Sequence, residues 1–202
     1  MSEEQAFLSI LRKQGDDLVT MRVYADWLDD NELPDRAEFL RVQLEVLEME
    51  QGQRGLLTRS RRLLALGRDF PRAWLVVVNR PRLDRTAWAG DSSIEGFCIY
   101  RYRPRGVLNY TTGGGTYQNG TWWQIGNTVF METNAHYADY QGTIAGGRIR
   151  GKASNIIGSD WTWDVSLTTD RKQCALGQPD RTVYQHTEAE RRRRRRRMPR
   201  PE

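Results

Sequence analysis

The sequence predicts an α+β protein, in which an N-terminal four-helix unit is followed by a small antiparallel β meander or barrel-like sheet and a disordered basic tail. Three observations predict this class. Apolar residues recur at helical spacing over residues 2–69. From Gly96 to Leu167 the period changes to two, and β-branched and aromatic residues become frequent. Seven consecutive arginines, Arg191–Arg197, then follow.

Capping residues mark the first two helices. Ser2 and Gln5 have the spacing of a capping box and begin the first helix. Asp16 or Asp17 can cap the second helix, which is predicted to run from about residue 18 to 29. Helical spacing gives both helices an apolar face, formed by Ala6, Phe7, Ile10 and Leu11 in the first and by Tyr24, Trp27 and Leu28 in the second.

Two more helices complete a helical domain assigned to residues 1–80. Residues 1–50 carry 5 basic and 13 acidic groups, a net charge of −8, whereas residues 51–90 have a net charge of +7. We therefore expect the first three helices to pack against the fourth through complementary charges, each surface pair contributing only ~0.2–1 kcal/mol. Asp26 is expected to pair with Arg22 or Arg36. The predicted inward residues are Phe39, Leu40, Val42, Leu44 and Leu47, then Leu56, Leu63, Leu64 and Leu66.

A β domain is assigned to residues 88–168, with a polar, Arg-rich tail at 169–202. Before it, Trp74–Val78 is expected either to dock under the helices or to begin the sheet. Short links containing glycine favour antiparallel neighbours. The predicted strands are 96–103, 106–112, 119–125, 127–134, 138–145, 147–154 and 160–167.

A family resemblance covers residues 1 to about 79. It is carried by Val23–Asp29 (VYADWLD), by Asp35–Gln43 (DRAEFLRVQ) and by the Trp74–Leu75 pair. These residues resemble the repeat-companion domain of large-genome environmental bacteria. In that family the helical unit precedes varied partners, often leucine-rich or other repeats, and no catalytic residues can be carried over. Here a β meander follows instead, and the β region resembles no family that we recognise.

The candidate binding residues lie in the β region. The aromatic residues can fill the interior of a small barrel, or Tyr100, Tyr102, Trp122 and Tyr140 can line a pocket with Arg101 or Arg103 at its edge. Arginines also alternate along two strands, so they would form one basic stripe if those strands were neighbours; otherwise they belong to an ordinary charged outer face. The residues of this predicted stripe are Arg101, Arg103 and Arg105 on one strand and Arg148, Arg150 and Lys152 on the other.

Catalysis and metal binding are not indicated. Only two histidines occur, and no known nucleophile, phosphate-loop or metalloprotease motif is present. We expect no enzymatic activity, no cofactor and no metal. Cys98 and Cys174 are interpreted as free thiols of a cytoplasmic protein. The longest apolar run, residues 73–78, is too short to span a bilayer.

The predicted function is that of a non-catalytic adaptor that binds a protein partner through its helical surface and its aromatic-rich β surface. One alternative is a β-barrel that binds a small ligand or a saccharide. Another is weak, salt-dependent association with nucleic acid or an anionic surface through the tail, using Arg191, Arg193, Arg195 and Arg197.

Overall fold

The computed structural model describes residues 2–50, 53–113 and 115–175. These residues form six α-helices and eight antiparallel strands that close into a barrel, which confirms the predicted α+β class. The helices are α1 Glu3–Lys13, α2 Leu18–Asp30, α3 Pro34–Glu48, α4 Leu56–Leu66, α5 Arg72–Val78 and α6 Arg171–Cys174. The strands are β1 Ala87–Ser92, β2 Gly96–Arg103, β3 Val107–Thr112, β4 Gly115–Ile125, β5 Thr128–Thr133, β6 Ala138–Ala145, β7 Arg148–Asn155 and β8 Asp160–Thr168.

The chain divides into two compact units near the predicted domain boundary. The first unit contains the chain up to Asp84 together with Gln124–Thr128 and Thr143–Ile149. The second contains the described residues of Arg85–Trp123 and Val129–Gly142, together with residues 150–175. The β4–β5 and β6–β7 turns therefore belong with the helices, a grouping that no local sequence pattern reveals.

Both predicted helix starts are confirmed by their capping bonds. The Ser2 hydroxyl accepts from the Gln5 amide at 3.3 Å, and the Gln5 side chain accepts from the Ser2 amide. Asp17 caps α2 by accepting from the Thr20 amide at 3.0 Å. These bonds satisfy amide groups that the first helical turn leaves without partners.

A fifth helix corrects the expected four-helix unit. Residues 72–78 form α5 and do not begin the sheet, and Trp74–Val78 packs in the core of the helices, which was the other predicted alternative. Pro71 stands just before α5, where its missing amide and fixed φ suit a helix start. Trp74, Leu75, Val77 and Val78 are buried within the first unit. Burial on more than one side explains why this short apolar run lacks a helical stripe.

Polar side chains of α2 and α3 take part in the core of this unit. The indole nitrogen of Trp74 donates to the Tyr24 hydroxyl at 2.8 Å, and that hydroxyl donates to Glu4 at 2.9 Å. Gln43 is completely buried, and its amide nitrogen donates to the Val78 carbonyl at 2.5 Å. These residues of the family resemblance therefore hold helices together.

Ion pairs join α4 to α3, as the opposite charges predicted. Arg59 and Arg62 of α4 contact Glu45 and Glu38 of α3 at 2.6 and 2.7 Å. All four side chains are well exposed, so each pair contributes ~0.2–1 kcal/mol.

The expected partner of Asp26 was wrong. Its carboxylate lies 3.0 Å from Arg41, which also reaches Asp29 at 2.5 Å. Arg22 instead contacts Glu48, while Arg36 contacts Glu4 at 3.1 Å. The packing of α2 on α3 decides this choice, because Arg41 stands across from both aspartates whereas Arg36 lies over the Trp74 ring, 5.2 Å from its centre.

Barrel closure depends on β1, which the sequence did not predict as a strand. Its residues pair antiparallel with β2 on one side and with β8 on the other, for example Gly90 with Cys98 and with Val165. The Ala87–Ser92 sequence has little alternation and no run of β-branched residues. Its strand conformation is therefore imposed by partners on both sides.

The fourth strand also begins earlier than predicted, at Gly115 instead of residue 119. Thr116 pairs with Thr111 on β3, and the Tyr117 ring stacks on Tyr110 with centroids 5.1 Å apart. Cross-strand contacts extend the ladder into a glycine-rich segment that local sequence assigns to a turn.

The first part of the predicted polar tail contains a short helix. Residues 169–175 contain α6, which begins where the Asp170 side chain accepts from the Lys172 amide at 2.8 Å. The remainder of the predicted tail, including the arginine run, lies outside the described residues. Among the described helices, none has the length and apolar character needed to cross a bilayer.

Candidate functional site

The barrel interior contains a cluster of aromatic rings within the second unit. Tyr100 contacts Tyr140 and Trp163, with ring centroids 5.8 and 5.6 Å apart, and Tyr140 contacts Trp161 at 5.5 Å. All four residues are buried, and these contacts are edge to face. An eight-stranded barrel has an interior that side chains can fill. The rings therefore occupy this part of the interior themselves.

Glu95 stands at the end of this cluster, in the turn between β1 and β2. The Tyr140 hydroxyl donates to its carboxylate at 3.3 Å. Glu95 is half-buried, and burial raises the pKa of its carboxyl group. Within residues 2–50, 53–113 and 115–175, no cation neutralises this carboxylate. An ionised carboxylate in such a position favours the approach of a cationic group.

Two neighbouring polar groups are also left without bonds. The Tyr100 hydroxyl and the Trp161 indole nitrogen are buried, and neither forms a hydrogen bond within the described part of the chain. Most buried polar groups in folded proteins have a partner, because an unsatisfied group costs about 1–3 kcal/mol. The same cluster contains the Cys98 thiol, whose pKa burial raises to about 11.

The β5–β6 turn at the same end of the barrel has an unusual backbone. Asn134, Ala135 and His136 all have positive φ, at 50°, 50° and 75°. The Tyr110 hydroxyl holds this turn by accepting from the Asn134 amide at 2.7 Å and donating to Asn119 at 2.8 Å. Consecutive left-handed residues other than glycine are uncommon and cluster at functional sites. His136 lies in a turn, as predicted, and its side chain is paired with Glu132.

Exposed apolar side chains occur close to Glu95 in the sequence and in the β7–β8 turn at the same end of the barrel. Ile94 and Phe97 flank Glu95 in sequence and are 57% and 54% exposed, and Ile157 in the β7–β8 turn is 69% exposed. The β1–β2 turn is joined to the start of β8, because the Ser93 amide donates to the Thr162 carbonyl at 2.9 Å. Since the β7–β8 turn leads into β8, these residues belong to one sector of the barrel end. We call Ile94, Glu95, Phe97 and Ile157 the rim site.

Sequence reasoning did not select the rim site. The available signal was the presence of Ile94 and Ile157 in turns, where Gly, Asn, Asp, Pro and Ser are usual. This signal did not indicate Glu95, because a glutamate in a turn is common. Only the structure shows that an aromatic cluster lies next to it.

The four aromatic residues predicted to line a pocket fall into two pairs. Tyr100 and Tyr140 pack together under Glu95. Tyr102 instead contacts Trp122 at 5.2 Å and donates to the Met131 sulfur at 3.1 Å. Trp122 is half-buried, and its indole nitrogen donates to the Arg103 carbonyl at 2.9 Å. Only the first pair contributes to the surroundings of the rim site.

The predicted basic stripe does not form. Strands β2 and β7 are separated by β1 and β8 in the closed barrel, so Arg101 and Arg103 lie on a different sector from Arg148 and Arg150. Arg150 pairs with Asp164 of β8 at 3.0 Å. Arg101 is buried on the outer face of β2, whereas Arg148 is exposed. Arg191, Arg193, Arg195 and Arg197 lie outside the described residues.

Among the described residues, no three His, Cys, Asp or Glu side chains converge to hold a metal ion. The geometry thus defines a class of protein: an antiparallel eight-stranded barrel accompanied by a helical unit. Comparison of the chain with models of known families, with curated proteins and with solved structures gives no match. The resemblance of residues 1–79 to the repeat-companion domain stays a prediction.

Proposed function

We propose that this chain is a non-catalytic binding protein whose barrel takes a protein partner at the rim site. One observation carries the proposal: the half-buried Glu95 carboxylate has no cationic neighbour among the described residues, and exposed Ile94 and Phe97 stand one position before it and two positions after it in the sequence. The partner we propose presents an apolar side chain beside a lysine or arginine.

Charge and apolar surface support the same occupant. A cation that reaches Glu95 gains a charge-assisted hydrogen bond, which is stronger than a neutral one. An apolar neighbour would cover Ile94, Phe97 and Ile157, removing surface that costs roughly 25 cal/mol per Å² in water. Central apolar contact with a specific polar anchor is typical of protein interfaces.

The packed aromatic cluster favours a protein partner over a saccharide or small molecule held deep in the barrel. Tyr100, Tyr140, Trp161 and Trp163 contact one another, so their ring faces and edges are already used. We propose a cytoplasmic adaptor, in which the helical unit contributes a second surface and no side chain performs turnover. Binding of nucleic acid by the tail is the alternative that the experiment must distinguish from binding of a protein at the rim site.

The test is retention of a partner from native lysate, with nuclease and at two salt concentrations. We would compare the parent chain with Glu95→Gln and with the double variant Ile94→Ser, Ile157→Ser. Val107→Ser is the matched control, because Val107 is also apolar and 42% exposed but begins β3 at the other end of the barrel. A partner lost from both rim variants and kept by Val107→Ser supports the proposal.

The retained protein is then purified and its binding measured directly. We expect replacement of one lysine or arginine in the partner to weaken binding to the parent chain and to leave binding to Glu95→Gln nearly unchanged. Retention that is equal in all variants, or recovery of nuclease-sensitive material alone, would contradict a binding function for the rim site.

A further inference from the structure

The outer face of β2 contains a cation that is almost completely covered. Arg101 is only 3% exposed although its side chain points away from the barrel interior. Its guanidinium donates to the Gln173 carbonyl at 2.6 Å and to the Thr111 hydroxyl at 3.0 Å. No carboxylate pairs with it within the described residues, although guanidinium groups that are removed from water usually have an anionic partner.

The same face contains further unused bonding groups. Arg103, two positions along β2, donates to the Cys174 carbonyl only at 3.5 Å, and its buried Nε forms no hydrogen bond in the described chain. Asn109 pairs with Arg101 across the β2–β3 ladder and is 5% exposed. The Asn109 side-chain oxygen also accepts no bond there. Two cations, an amide and a hydroxyl therefore share one patch.

A short C-terminal segment covers this patch, and we call residues 169–175 the strap. Its contacts with the two arginines are made by backbone carbonyls at the end of α6, which carry only partial negative charge. The burial that lowers the pKa of Arg101 is not offset by a full negative charge nearby. An anion would therefore satisfy the guanidinium groups of Arg101 and Arg103 better than the strap carbonyls do.

We propose that Arg101, Arg103 and Thr111 form an oxyanion site on the outer face of β2 and β3, which phosphate enters by displacing the strap. A phosphate group offers several acceptor oxygens to the two guanidinium groups. In its protonated form it also offers a hydroxyl that can donate to the Asn109 oxygen. This site is separate from the rim site and does not depend on the proposed function.

Displacement of the strap is feasible because it is short and because, apart from the two arginines, its hydrogen bonds are local, within the strap or to Thr168 at the end of β8. Gln173 accepts from the Thr168 hydroxyl at 2.5 Å, and Asp170 caps the single turn of α6. A helix of four residues has little stability of its own and depends on its contacts with the barrel. An anion that competes for Arg101 and Arg103 therefore releases the strap.

Cys174 reports this release in the intact chain. The protein has two cysteines, and Cys98 is completely buried with a pKa raised to about 11, so it reacts slowly. The Cys174 thiol is half-buried and lies 3.6 Å from the Thr168 carbonyl. The rate of thiol labelling at Cys174, located by peptide mass spectrometry, would be measured against inorganic phosphate at constant ionic strength.

We expect phosphate to accelerate labelling of the parent chain, and chloride at equal ionic strength to have no such effect. Arg101→Gln should label about tenfold faster without phosphate, because a hydrogen bond from a charged donor to the strap is lost. It should no longer respond to phosphate. Arg150→Gln is the matched control, since it removes a strand arginine of equal charge from β7.

Arg103→Gln provides a second test, because this half-buried side chain is less critical for folding than Arg101. It should weaken the phosphate response while near-ultraviolet circular dichroism stays unchanged. An unchanged labelling rate of the parent chain in phosphate would overturn the proposal. So would an equal response in Arg101→Gln, because the C-terminal arginine run, which both chains retain, would then account for it.

Discussion

Two aromatic clusters of this protein use their polar groups differently. In the helical unit, the Trp74 nitrogen, the Tyr24 hydroxyl and the Glu4 carboxylate form one continuous hydrogen-bonded chain. In the barrel, the Tyr100 hydroxyl and the Trp161 nitrogen are buried without bonds in the described structure, next to a carboxylate without a cation. The rings of both clusters contact one another, so the difference that we compare is whether the polar atoms of these rings form hydrogen bonds.

This difference is the basis on which we propose a binding function for the barrel and a structural role for the helical cluster. In the helical unit, the polar atoms of Trp74, Tyr24 and Glu4 bond to one another and hold the helices together. These residues therefore contribute to the stability of the helical unit. The barrel cluster keeps donors and a carboxylate that its own packing does not satisfy. Unsatisfied buried polar groups in a native protein require an explanation, and binding of another group is one of the few available.

The largest effect is expected from removing the Trp74 ring. Trp74→Ala should lower the free energy of unfolding by about 3–5 kcal/mol, because it leaves a cavity beside Phe39 and Phe70 and removes the donor to Tyr24. Helical circular dichroism during urea unfolding would measure it. Val23→Ala, at a half-exposed position of α2, should change stability by less than about 0.5 kcal/mol.

A pair of hydroxyl deletions tests the comparison directly. Tyr24→Phe should cost about 1–3 kcal/mol, since the Trp74 nitrogen and Glu4 both lose a partner. Tyr100→Phe removes a hydroxyl that forms no hydrogen bond in the described chain, and should leave stability unchanged or slightly raised. Urea unfolding followed by helical and near-ultraviolet circular dichroism gives both values. Equal losses in the two variants would remove the distinction between the clusters.

The Glu95 carboxylate of the rim site should make the barrel less stable at higher pH. Burial raises the folded-state pKa of Glu95 above its ordinary value of 4.5, so the folded state retains the proton more strongly than the unfolded state. The stabilisation of the folded state by this proton has its full value below pH 4.5 and is lost as the pH rises through the folded-state pKa of Glu95. We therefore expect Glu95→Gln to unfold at a higher temperature than the parent chain at pH 7.

Below pH 4.5 the melting temperatures of these two chains should converge, because glutamine resembles the protonated acid and keeps an acceptor for Tyr140. Thermal unfolding monitored by near-ultraviolet circular dichroism at several pH values would measure this. A parent chain more stable than the variant at pH 7 would show that Glu95 has an unrecognised cation nearby.

The smallest effect, with the opposite sign, is expected at the start of α2. Hydrogen bonds from the Thr20 side chain and amide lower the folded-state pKa of Asp17 below 3.8. The ionised Asp17 carboxylate therefore contributes its full stabilisation of the folded state above pH 3.8, and this stabilisation is lost as the pH falls through the folded-state pKa. Asp17→Ala should be less stable than the parent chain at pH 7, with the difference shrinking in acid. A difference independent of pH in helical circular dichroism melts would exclude this account.

Local patterns predicted the elements whose stability is local. Ser2, Gln5 and Asp17 begin helices as expected because capping involves groups only three residues apart. The later strands were found because their inward and outward residues alternate. Strand β1 and helix α5 were missed, since Trp88 and Trp74 take their conformation from neighbours far away in the chain.

By itself, the sequence determined the α+β class and the order of helices before strands, because period and charge are properties of contiguous residues. Only the tertiary structure decided that the sheet closes, which strands are neighbours and where unpaired charges remain. Closure put two sheet strands between Arg101 and Arg150 and brought Tyr140 to Glu95. These contacts join residues that are tens of positions apart in the sequence. Their interaction energies depend on tertiary packing and on the exclusion of water, which a local sequence pattern does not predict.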